Sequence, residues 1–149
     1  MDILLIVFHV TCAAILFGLP LGLPGACRRA MAVNQGALQL AAAEAVRKGK
    51  ILAGASLLTL LTGVLLIISK MGGFGAAPKN FHVALLLMIV AMVVSIGVIR
   101  PAAANLLVAA GGDTVEEDLA NQSLKRMAMG SGILQLMWIG MLSLMFITL

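Results

Sequence analysis

Residues 51–69 read ILAGASLLTLLTGVLLIIS, an uncharged stretch closed by Lys50 on one side and Lys70 on the other. As a helix rising 1.5 Å per residue, such a stretch crosses the roughly 30 Å hydrocarbon core of a bilayer. Three more uncharged stretches flank it: Ile3 to Cys27, Asn80 to Ile99 and Met127 to Leu149. The whole composition agrees. Of 149 residues, 62% are hydrophobic and 11% charged, and mean hydropathy is +1.12. An ordinary soluble domain is about half apolar and a quarter charged. Disordered, collagenous and disulfide-framework classes are excluded, and a soluble enzyme nearly so. The first stretch opens with Asp2, and its basic residues Arg28 and Arg29 follow the apolar run. That order is the reverse of a cleavable signal, so a retained first helix is expected.

The few charges must sit outside the hydrocarbon, and their distribution carries a topology. Arg28, Arg29, Arg47, Lys48 and Lys50 follow the first span, and Arg100, Lys125 and Arg126 follow the third. The remaining connection has only Lys70 and Lys79, and the termini have no basic residue. The positive-inside rule puts the two basic links in the cytoplasm and both termini outside, as in a multi-pass protein of a prokaryotic inner membrane. The net charge of +4 reflects that topology and gives no argument for a nucleic-acid partner; the lipid bilayer is the partner expected.

The helices are expected to outrun the membrane. Residues 37–48 are rich in strong helix formers. Gly111-Gly112 breaks the chain, and Thr114-Val115-Glu116-Glu117 reads as a capping box opening a helix well before the fourth span. Pro20 and Pro24 should kink the first helix, and Pro101 the third. A short turn holds Gly72, Gly73 and Gly75. The simplest fold is an all-α membrane protein, one domain of four transmembrane helices in an up-down-up-down bundle.

An internal repeat runs beneath the hydrophobicity. Phe8-His9-Val10 opens the first span and Phe81-His82-Val83 the third. Arg28 and Arg100 close those spans, and Lys50, Ala53 and Ser56 line up with Lys125, Ala128 and Ser131. Two duplicated helical hairpins are expected, about 1–72 and 73–149. Their axis would lie along the membrane normal, with His9 and His82 at equivalent depths on diagonal helices.

These are the chain's two histidines, and an ionisable group at membrane depth is a functional candidate by default. As a pair they would serve as metal ligands, one ring nitrogen each, on the iron of a b-type haem. Lys70 and Lys79 would meet its propionates, with Phe8 and Phe81 packing near the ring. Such a protein would pass electrons near the outer face, with a redox partner or as a homo-oligomer. In the alternative reading each histidine bonds a carbonyl or a neighbouring helix, and the chain is a non-catalytic structural or accessory subunit. Copper handling is a third reading, since thioethers and imidazoles suit Cu(I). Met88 and Met92, and Met137, Met141 and Met145, recur every four residues, although such stripes usually pack. Cys12 shares a helix face with His9 and reads as a small hydrophobe.

Small residues at helical spacing, Ala55, Thr59 and Gly63, Gly18 and Gly22, Gly132 and Gly140, are expected to let backbones approach. Trp138 lies mid-span and should face the core, a cofactor or a partner. Asp113, Glu116, Glu117 and Asp118 suit a solvated helix start. The sequence shows no phosphate loop, nucleophile elbow, zinc helix or paired intramembrane carboxylates.

Phe8-His9-Val10 with Leu16-Phe17-Gly18, Leu61-Thr62-Gly63-Val64, and His82 with Ile99-Arg100-Pro101 resemble small four-helix membrane proteins of the copper-resistance protein D-like group. More distantly they resemble the HemJ-type protoporphyrinogen oxidases. The resemblance covers most of the chain through short apolar motifs. It implies a helical membrane protein that binds haem through the positions of His9 and His82. The Trp-rich first helix and intramembrane lysine of an oxidase of that kind are missing.

Overall fold

The computed structural model describes residues 2–146, and those residues form helices with no strand among them. They make four rods. The first is α1 (Asp2–Gly18) with α2 (Leu23–Val33), and the second is α3 (Gln35–Met71). The third is α4 (Lys79–Val94), a π turn (Ser95–Ile99) and α5 (Arg100–Ala110). The fourth is α6 (Glu117–Phe146). All four are long and apolar enough to cross a membrane. The last residues of the sequence-predicted fourth span, 147–149, lie outside the described residues.

Local chemistry sets the rod ends. Asn34 is extended between α2 and α3, and its side-chain oxygen accepts the Ala37 N–H at 2.8 Å, as an N-cap should. From there α3 runs unbroken for 37 residues, about 55 Å, so it outruns the bilayer core as expected. It ends where Gly72 turns left-handed at φ +73°, a conformation that suits glycine, and Gly72 N–H returns to the Ile67 carbonyl. The capping box expected at Thr114 is displaced. α6 starts at Glu117, while Glu116 donates its N–H to the Ala109 carbonyl at 3.0 Å and accepts from Ala120 N–H at 2.9 Å.

The prolines act more strongly than kinks. The first rod breaks at Leu19–Gly22. Proline has no N–H to give the preceding turn, and here Leu21 N–H turns back to Gly18 and Leu23 N–H to Pro20, each at 3.3 Å. Pro24 then sits in the first turn of α2, where the missing N–H is no loss. In the third rod Pro101 lies in the first turn of α5, and Arg100 N–H reaches five residues back to Ser95. The widened π turn relieves the clash between the Pro101 ring and the carbonyl four residues earlier.

Each rod packs on the next, and the fourth packs on the first. No Cα of the first rod comes within 8 Å of the third, nor of the second within 8 Å of the fourth. Two cores result. The basic end is packed with small side chains: Leu38, Ala42 and Ala45 of α3 meet Ala102, Ala103, Leu106 and Ala109 of α5 and Ala120, Leu124 and Met127 of α6. Toward Gly72 the core is sparser, with Leu16, Phe17, Leu52, Ala55, Met88, Ala91 and Leu134. Ile3, Leu4, Leu86 and Val93 remain exposed there, as lipid-facing side chains should.

Candidate functional site

α1 carries His9 onto α3. Its Nδ1 lies 2.8 Å from Thr62 Oγ1, and Thr62 Oγ1 lies 2.7 Å from the Leu58 carbonyl and 3.2 Å from that of Thr59. A threonine hydroxyl has one hydrogen, and the carbonyls of its own helix can only accept it. With that hydrogen on the Leu58 carbonyl, the hydroxyl accepts from His9 in the tautomer that carries its proton on Nδ1 and leaves Nε2 a lone pair. Gly63 makes the seat: a Cβ there would stand 3.2 Å from His9 Cε1. Thr62 is buried, His9 half-buried. An imidazole at membrane depth thus has its N–H satisfied by a neighbouring helix, which removes a cost of several kcal/mol for an unpaired group.

His82 has a different setting. It is exposed on α4, on the stripe that includes Leu86 and Val93. Its Nδ1 lies 3.4 Å from the Pro78 carbonyl one turn earlier, and its ring lies 6.3 Å from that of Phe74. Depth differs as well. Thr62, which marks the level of His9, lies about 12 Å along α3 from Lys70, whereas His82 lies about 4.5 Å along α4 from Lys79. The equivalence expected of the two histidines is not seen. His9 Nδ1 is turned onto Thr62 of the second rod, whereas His82 stands exposed on α4.

The remaining sequence-predicted site residues scatter around the Gly72 end. Lys70 and Lys79 are exposed on either side of the turn, Phe8 is exposed and Phe81 half-buried. Asn80 Nδ2 donates to the Leu144 carbonyl at 3.1 Å and ties the start of α4 to α6. Cys12 is buried beneath His9, and among the described residues no three His, Cys, Asp or Glu side chains come together as a metal-ligating group. Met88 is buried, and Met137 and Met141 pack against the sparser core; the side chain of Met145 lies outside the described residues.

A second polar locus spans the break in the first rod. Gln135 Nε2 donates to the Phe17 carbonyl at 2.5 Å, and Ser131 Oγ to the Pro20 carbonyl at 3.1 Å. The two lie one turn apart on α6: Gln135 supplies the Phe17 carbonyl with a donor at the break, and Ser131 adds a second donor to the Pro20 carbonyl beside Leu23 N–H. Trp138 stacks on Phe17 beside them, with ring centroids 6.0 Å apart at 17°. Sequence reading singled out neither Thr62 nor Gln135 as a site residue. Gln135 had a signal, since an amide inside an apolar span needs a partner. The close-approach glycines also differ from those expected. Besides Gly63, a Cβ at Gly130 would lie 2.8 Å from Ile99 Cγ1, while Gly18, Gly22 and Gly132 face nothing within 4 Å.

The class defined by these features is a multi-pass helical membrane protein, with polar side chains spent on joining helices. Comparison of the chain with known protein families, characterised proteins and solved structures finds no match.

Proposed function

We propose that the chain is a non-catalytic accessory or structural subunit of a membrane, an up-down-up-down bundle of two related hairpins. Both termini would lie outside and the basic links in the cytoplasm of a prokaryotic inner membrane. The duplication is supported by the two odd-numbered rods. Each carries its histidine near its start and a helix irregularity further on, at Leu19–Gly22 and at Ser95–Ile99. One observation carries the functional reading: His9 Nδ1 meets Thr62 Oγ1 of the adjacent rod at 2.8 Å, which makes the imidazole an interhelical clasp. The test is His9→Gln and His82→Gln in detergent-purified protein. Both should stay monodisperse and helical, with His82→Gln indistinguishable from the parent and the preparation colourless. Reporter fusions at the two ends should both report an outside location.

A b-type haem with a redox role is the second reading, and the lone pair left on His9 Nε2 favours it. A ligating histidine usually donates its other N–H to a neighbouring acceptor, as His9 does. The exposed setting of His82 leaves its ring accessible as a second ligand. A Soret band after haem-supplemented expression, lost in His9→Ala, would establish it and displace the accessory reading.

A further inference from the structure

We propose that the groove between α2 and α3 binds one anionic glycerophospholipid, with acyl chain on its apolar wall and phosphate at Lys48. The groove has a volume of about 180 Å³, with Leu19, Gly22, Leu23 and Cys27 on the first rod and Glu44 and Lys48 on α3. An apolar cavity of about 150 Å³ takes up a benzene-sized guest, so a segment of acyl chain fits.

The charge at its mouth selects the headgroup. Arg47 holds Glu44 through two hydrogen bonds of 2.9 Å, which neutralises the acid. Lys48 Nζ stands 3.5 Å from the same carboxylate, longer than a charge-assisted bond of about 2.8 Å. An ammonium has three donors, so a phosphate oxygen can be met without breaking the Glu44–Arg47 pair. Arg29 sits three residues beyond Ala26, one turn on along α2. Across residues 28–50, Arg28, Arg29, Arg47, Lys48 and Lys50 face Glu44 as the one acid. A Cβ at Gly49 would lie 3.7 Å from Arg100 Cα, so Lys48 stands level with Arg100 of the third rod. Basic pockets between membrane helices at that level suit anionic headgroups. The inference rests on the membrane-spanning reading.

Native mass spectrometry of the detergent-purified full chain tests it, with phosphatidylglycerol and phosphatidylcholine of identical acyl chains as probes. One phosphatidylglycerol should be retained in preference to phosphatidylcholine. Lys48→Gln should weaken retention about fivefold, the worth of one lysine near a lipid surface. Gly22→Leu, where a new side chain meets nothing within 4 Å, should fill the groove and abolish retention while the protein stays helical. Equal retention of both lipids overturns the proposal, as do two variants that bind like the parent. Displacement by millimolar glycerol phosphate would also overturn it, by showing a site for free phosphate. Recovery of the chain in the soluble fraction would remove the membrane-spanning reading and the lipid site together.

Discussion

The two ends of this molecule solve the packing problem differently. At the basic end alanines let the rods close to near-total burial, with Ala42, Ala103, Leu106 and Ala120 fully enclosed. Around Gly72 the rods stand on fewer large side chains, and α1 rests mainly on α3. The difference follows the solvent. The basic ends of the rods overrun the hydrocarbon, and a helix in water must bury its apolar face. In lipid there is no hydrophobic drive between helices, so leucines can face outward and specificity falls to hydrogen bonds such as His9–Thr62.

Thermal unfolding in detergent can break this comparison. The largest effect is expected from Leu106→Ala at the basic end, about 2–5 kcal/mol for a buried leucine. Leu86→Ala, on an exposed stripe near Gly72, should stay within about 0.5 kcal/mol. Equal losses would refute the contrast. Next comes Gly130→Ala, which puts a methyl 2.8 Å from Ile99 and should cost about 1–3 kcal/mol by overpacking. Gly132→Ala, two residues on, should be tolerated. Thr62→Val and Gln135→Leu each remove an interhelical hydrogen bond, worth about 0.6 kcal/mol on average in membranes. Should Thr62→Val prove silent, His9 is not a clasp. Smallest is Glu44→Gln, which breaks a solvent-exposed ion pair and should leave the melting temperature unchanged.

Sequence alone made the rods legible because each holds a long uncharged stretch bounded by basic residues, and residues 37–48 announced the overrun through their helix formers. It did not separate a kink from a break. Pro20 and Pro101 look alike as residues, yet one interrupts its rod and the other is absorbed by a π turn packed on Gly130. That outcome depends on which donors the neighbouring rod supplies, and Ser131 and Gln135 lie more than a hundred residues from the carbonyls they serve. The candidate site was half legible. Both histidines stood out as costly groups in apolar surroundings, but helical rotation decides what each meets. His9 turns onto Thr62, and His82 turns outward beside Leu86. A threonine ahead of a glycine, Thr62-Gly63, was the available sign of a seat for a ring.

The hydrogen bonds from α6 to the broken first rod also impose an order in time. A ribosome delivers the first rod before the fourth exists. Until α6 inserts, the Phe17 carbonyl lacks the donor that Gln135 brings and the Pro20 carbonyl keeps only Leu23 N–H, and a bare carbonyl in hydrocarbon costs several kcal/mol. The earliest segment made is therefore finished by the last, and a chain cut short after the third rod would carry the mark of its incompleteness in its first.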